Sequence, residues 1–245
     1  MDENTWNRCD RLYEMFAFAQ DHLGERKRRL FAVACCRRGL HLMPNDDTRN
    51  ALVVAERFAL GLEAEETLEK AEMLAFLAHL DARDRSIVAS EGVPPWSRST
   101  ELITQAVTLA ASHGLYASYD AADHARRAIA EGAGWRGEQV EEVVQCRLFR
   151  EVIGPILFRP TRVDPSWMRA NDRAAYRIAE EIEAGAMELY PILGDALEDA
   201  GCSDPAILSH CREYAGHVCG CWLVDLVLGR DDGIVGTAGP FAGFR

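Results

Sequence analysis

Between residues 202 and 221 the chain sets Cys202, His210, Cys211, His217, Cys219 and Cys221, a stretch that holds half of its eight cysteines. Thiols and imidazoles are the donors zinc prefers, four at a time around a tetrahedron. They are also ordinary packing material, since free cysteine is among the most buried residue types. The apolar run Trp222-Leu223-Val224-Asp225-Leu226-Val227-Leu228 predicts a buried helix, and the pattern extends it back to His217. On such a helix His217 and Cys221 share a face and Cys219 points nearly opposite. Cys202, His210 or Cys211 must then fold back to complete a ligand set. No Cys-x-x-Cys knuckle is present. The leading expectation is a packed end of a helical scaffold. The alternative is a zinc site drawn from Cys202, His210, Cys211, His217 and Cys221. A third use, a cysteine nucleophile activated by His210 or His217, requires a neighbour that lowers the thiol pKa.

Two further groups bear on ligands. Arg26-Lys27-Arg28-Arg29 is followed by Arg37-Arg38, and Arg26 and Arg37, like Lys27 and Arg38, fall on nearly one helical face. Such a run is an anion patch or, more commonly, a set of cations reaching for carboxylates. Leu30, Phe31, Val33 and Cys35 lie among them, so the helix is expected to pack on two sides and its arginines to pair. The segment Phe158-Arg159-Pro160, with Asp164-Pro165-Ser166-Trp167, puts Arg159 and Trp167 in a loop where interaction residues often stand. The stronger expectation is that Phe158 and Trp167 pin this crossing segment to the core.

Recognisable catalytic signatures are missing. There is no Gly-x-x-x-x-Gly-Lys loop, no Gly-x-Ser-x-Gly elbow and no His-Glu-x-x-His. Asp120 with His124, and Glu213 with His217, stand at i and i+4, which is not the Glu-x-x-His spacing of di-iron bundles.

The elements that must position these residues read as helices almost throughout. Apolar spacing predicts helices over 10–22, 25–43, 48–60, 64–85, 99–113, 117–131, 138–153, 166–184, 187–200, 205–214 and 217–228. Pro44, Pro94-Pro95, Gly154-Pro155 and Pro165 punctuate them. Asp204-Pro205 is a helix start. The breaks suggest an N-terminal helical unit over 1–92, middle helices over 93–157, a C-terminal helical unit over 158–229 and a Gly-rich tail over 230–245, all compatible with one continuous domain. No alternation argues for a sheet, although Val163 or Val235 suits a short strand. The expected fold class is all-α, an irregular multi-helix bundle or solenoid-like stack of about ten helices.

Composition narrows the function. The chain has 245 residues, 48% hydrophobic, enough for a full core, with 39 acidic against 27 basic side chains and a net charge of -12. That charge repels phosphate backbones and makes nucleic acid an improbable partner. No apolar run approaches the about 18 residues of a membrane span. The acidic start Met1-Asp2-Glu3-Asn4 is unlike a signal peptide, so the cytoplasm is the expected location and free thiols or ligands the expected state of the cysteines.

Three stretches stand out together: Arg28-Arg29-Leu30-Phe31-Ala32-Val33-Ala34-Cys35-Cys36-Arg37-Arg38 with Val54-Ala55-Glu56-Arg57-Phe58-Ala59 and Gly61-Leu62, then Phe158-Arg159-Pro160 with Asp164-Pro165-Ser166-Trp167, and the run from Pro191 through His217-Val218-Cys219-Gly220-Cys221-Trp222 to Gly229. They resemble an uncharacterised, multi-copy helical protein family of planctomycete-type bacteria. The resemblance covers both ends of the chain and implies no function. The relatives usually carry Arg where this chain has Cys219, so Cys219 is not expected in a family-wide site. Multiple copies fit an accessory or adaptor role. The expectation is therefore a non-enzymatic interaction or regulatory protein whose partner is another protein, with zinc binding and Cys/His catalysis as the alternatives.

Overall fold

The computed structural model describes residues 1–88, 96–114, 116–131, 133–158, 163–213 and 216–230. Among them the fold is all-α, with no strand. The helices are α1 (Glu3–Arg8), α2 (Leu12–Ala19), α3 (Glu25–Arg37), α4 (Asp46–Ala59), α5 (Glu65–Val88) and α6 (Trp96–Ala111). They continue as α7 (Ala117–Ile129), α8 (Gly134–Ile153), α9 (Ala170–Glu183), α10 (Tyr190–Asp199), α11 (Pro205–Cys211) and α12 (Trp222–Leu228). No described helix is long and apolar enough to cross a membrane.

Two hydrophobic cores organise the chain. The first gathers buried residues from Trp6 to Ile153, across the whole of α1 to α8. The second runs from Val163 to Val227 and joins α9 to α12. Helix α3 is the axis of the first core and packs on α4, α6, α7 and α8. Its run Leu30-Phe31-Ala32-Val33-Ala34-Cys35-Cys36 is buried all round, which explains why its charges sit at the two ends. Phe31 meets Phe149 of α8 edge-on at 4.7 Å, and Trp6 and Phe16 pack on the same ring at 5.7 and 5.9 Å. Burying an aromatic side chain of this size is worth about 1.5–3 kcal/mol. This cluster therefore fixes the last turn of α8, where Glu151 stands two residues further on.

Several expected boundaries move. Helix α1 was not anticipated; Asp2 caps it by accepting the Thr5 amide at 2.7 Å. The helix expected to run to Met43 stops at Arg37, and a short 3-10 turn over Leu40–Leu42 follows it. The segment before α9 is a set of turns, and the helix itself begins with Asn171, Asp172 and Arg173 at φ of 49°, 55° and 60°, a left-handed turn. Val163 is buried in irregular chain, and Val235 lies outside the described residues.

The largest correction concerns the window of cysteines and histidines. His217 is not helical. Residues 216–221 form a loop, and α12 starts at Trp222 with Cys221 as its N-cap, whose sulfur accepts the Leu223 amide at 3.4 Å. Gly220 causes the break. Its φ of +81° is left-handed, and its α-carbon lies so near Leu30 of α3 that a side chain would collide. The loop can therefore press its backbone onto α3, which the expected helix could not.

Candidate metal centre

Four side chains from separate elements converge where the two cores meet. Glu151 comes from the last turn of α8, His210 from α11, His217 from the loop and Cys221 from the cap of α12. One donor atom from each lies within 4.8 Å of all the others. Gly154 makes the convergence possible. It ends α8 at φ +67°, and the Trp222 indole sits where its Cβ would be. The same indole packs on His210 at 5.0 Å. Asp204 and Pro205 start α11 as the sequence suggests, with the Asp204 carboxylate accepting the Ala206 amide at 2.8 Å.

The contacts are specific. His210 Nε2 is 3.1 Å from Cys221 Sγ and 3.4 Å from Glu151 Oε1. His217 Nδ1 is 2.7 Å from the same Glu151 oxygen. His217 Nε2 donates to the Glu213 carbonyl at 3.1 Å, so the i, i+4 pair seen in the sequence meets through backbone rather than carboxylate. All four residues are largely buried, with side-chain exposures of 11% for Glu151, 10% for His210 and 7% for His217 and none for Cys221. Tyr190, the first residue of α10, stacks flat on His217 at 3.5 Å and 7°.

Electrostatics follow from this packing. Burial by itself would raise the Glu151 carboxyl, but hydrogen bonds and charge from His210 and His217 hold it at about 2. Burial would lower His217, yet Cys221 and Glu151 bring it up to about 9. Burial and the Glu151 charge push the Cys221 thiol up to about 11, with the neighbouring His217 and Tyr190 acting against them. Without a cation the centre therefore holds a carboxylate, an imidazolium and a neutral thiol.

This arrangement suits coordination better than nucleophilic catalysis. A relay needs one imidazole nitrogen on the nucleophile and the other on the carboxylate. Here His210 meets both Cys221 and Glu151 through Nε2. A tetrahedral ion with bonds of 2.0–2.3 Å separates its ligand atoms by about 3.3–3.8 Å. Distances of 2.7, 3.1 and 3.4 Å approach that spacing after small side-chain adjustments. The His217 Nε2–carbonyl bond is of the kind that fixes the tautomer of metal-binding histidines, and it leaves Nδ1 facing Glu151.

Of the residues singled out in the sequence, His210, His217 and Cys221 meet here. Cys202 and Cys211 lie in the second core outside the converging group, with thiols raised by burial, Cys211 to about 12. Cys211 faces Gly194 at close range, as a small packed side chain would. Cys219 is also apart; burial and then the charges of Glu56, Asp225 and Glu183 push it up to about 12. None of the eight cysteines is disulfide-bonded, and seven are buried.

The basic candidates are engaged within the fold. Arg26 binds Asp225 with both nitrogens at 2.5 and 2.6 Å, and Lys27 reaches the same carboxylate at 2.6 Å. Lys27 also donates to the carbonyls of Val152 and Gly220, at 2.7 and 3.0 Å. Arg37 pairs with Glu56 and Arg38 with Glu141. Trp167 packs partly buried on the second core, and Phe158 stacks on Phe18 at 5.7 Å and 6°, as expected of pinning residues. Arg159 lies outside the described residues.

Glu151 was missed. It stands 59 residues before His210, and no short motif spans that distance. One signal was present: a carboxylate in the last turn of a helix opposes the macrodipole and calls for nearby positive charge. No protein-family model matches the chain, and neither does any curated protein or solved structure.

Proposed function

We propose that this is a metal-binding helical protein whose ion, zinc by donor chemistry, fastens the C-terminal helices to the main bundle. The convergence of Glu151, His210, His217 and Cys221 carries the reading. One ligand belongs to the first core and three to the C-terminal unit, so an ion would cross-link them. Four protein donors leave no open position, which is the pattern of structural rather than catalytic zinc. Two imidazoles, a thiolate and a carboxylate match zinc more closely than calcium or magnesium, which prefer oxygen alone. Metal binding of this kind contributes directly to folding stability.

Zinc or cobalt(II) titration of chelator-treated protein tests the reading. One ion per chain is expected, with affinity sharply reduced in Glu151→Gln, His217→Ala and Cys221→Ser. Absence of stoichiometric binding, or equal affinity in all three variants, would sink it.

A second reading, an interaction or regulatory protein with a protein partner, draws support from α5. Its inner side is closed by Leu68, Ala71 and Ala75, yet Met73, Phe76 and Leu77 are 58%, 43% and 53% exposed on the other side. Spacing of i, i+3 and i+4 is the imprint of a helix-in-groove or helix-on-helix contact. The N-terminal half of α5 also exposes the carboxylates of Glu66 and Glu69. The occupant is thus an amphipathic partner helix with basic residues where it passes them. A photo-crosslinker at Met73 should trap one defined protein in the native host, and Leu77→Asp should abolish that product. A crosslinker that yields no discrete product would remove this reading.

A further inference from the structure

Tyr190 carries an unanswered hydroxyl at the candidate metal centre. The residue is 1% exposed, and its oxygen has no hydrogen-bond partner among the described residues. Its ring is held rigidly, flat on His217 at 3.5 Å and edge-on to His210 at 6.2 Å, so the hydroxyl cannot swing out to solvent. Beyond burial itself, the group that acts most strongly on this phenol is Cys221. A buried donor without an acceptor is rare and costly, and an absent ion is one of its recognised explanations.

The identity of the missing acceptor follows from sulfur chemistry. A neutral thiol is a weak acceptor, so the phenol beside Cys221 gains little from it. A metal-bound thiolate is anionic, and hydrogen bonds to charged acceptors are about twice as strong as neutral ones. Resting on the metal reading above, we infer that Tyr190 is a positioning residue that donates its O–H to the Cys221 thiolate of the metal-loaded centre. On binding, the Cys221 S–H and His217 Nδ1–H bonds break and their protons leave for water. The sulfur and nitrogen lone pairs go to the ion, and the Tyr190 O–H turns onto the sulfur. An exit is available, because Glu151 and His210 border a cleft of about 590 Å³ that opens between the two cores beside Arg38, Arg147 and Trp222.

This assignment makes opposite demands on the free and loaded protein. Tyr190→Phe keeps the ring, its stack on His217 and nearly all its volume, and removes only the donor. The metal-free variant should be at least as stable as the parent, because an unsatisfied buried group is gone. The loaded variant should bind the ion 10- to 100-fold more weakly, the usual range for losing an outer-sphere partner.

The test uses cobalt(II), whose thiolate-to-metal charge-transfer band reports on the sulfur. Loss of the hydrogen bond should move that band to lower energy in Tyr190→Phe, together with the weaker affinity. Cobalt bound by both proteins with the same band and the same affinity overturns the role of Tyr190 while leaving the metal centre standing. A parent protein that takes up no cobalt or zinc overturns the metal centre, and this inference with it. A variant that loses stability before any metal is added also counts against the assignment, since it gives the hydroxyl a partner in the free protein.

Discussion

The main bundle holds the C-terminal helices at two polar junctions. At the first, α3 meets α12: Lys27 spends its ammonium donors on Asp225 and two backbone carbonyls, and Arg26 closes the other side of the carboxylate. At the second, α8 meets α11, the loop and the cap of α12 through Glu151, His210, His217 and Cys221. Both junctions are buried and both combine acidic with basic groups. The first has an acceptor for every Lys27 donor. The second leaves a thiol protonated, two imidazoles aimed at one carboxylate oxygen and the Tyr190 hydroxyl unanswered. A polar cluster that is complete holds a fold together, whereas surplus donor atoms converging on a point support the ligand-binding reading proposed above.

The sharpest way to break this contrast is at the complete junction. Asp225→Ala leaves Arg26 and Lys27 buried without their carboxylate and should destabilise the protein by about 3–5 kcal/mol. Urea unfolding measures this, and the loss should be the same with zinc or with chelator. If Asp225→Ala were neutral, the first junction would not be the structural one.

At the second junction the effect should depend on the ion. Zinc at 100 times its dissociation constant should stabilise the parent by about 2.7 kcal/mol. Glu151→Gln should erase that gain, read as the difference in melting temperature with and without zinc. Binding should also release about two protons per ion at neutral pH, since the Cys221 thiol and His217 imidazolium must both deprotonate. Calorimetry in buffers of different ionisation enthalpy counts them; no proton release would mean the ion sits elsewhere.

Acid should distinguish the junctions less strongly. Burial would raise Asp225, but Lys27 and Arg26 hold it below its ordinary value. A depressed carboxylate contributes stability that is fully present above its unfolded pKa, near 4, and fades as pH falls through the lower folded value. In chelator, stability should therefore be lost on acidification below about pH 4, and the Asp225→Asn variant should show a flatter slope there. An unchanged slope would remove Asp225 as the group responsible.

The smallest effect is expected at the rim. Arg37 and Glu56 pair with side-chain exposures of 40% and 16%. Arg37→Ala should cost less than about 1 kcal/mol because solvent screens the pair. A cost matching that of Asp225→Ala would show that burial does not separate these pairs.

The sequence by itself determined the fold class. Helical spacing, Pro44, Asp204-Pro205 and the apolar run after Cys221 are local signals, and they place most helices within a few residues. It also picked out three of the four converging side chains, because cysteine and histidine are conspicuous by type. It misjudged why His217 and Cys221 meet. A helix would have brought them together by periodicity, but a loop does so, since Gly220 must lie against Leu30, a residue nearly two hundred positions away. Only the tertiary structure decided the rest. Glu151 is an unremarkable carboxylate until the aromatic packing around Phe149 and the turn at Gly154 deliver it to His210 and His217. The fate of Asp225 and the orphan state of Tyr190 are likewise properties of contacts between distant segments. Periodicity is written in neighbouring residues; the completeness of a polar cluster is written only in the packing that buries it.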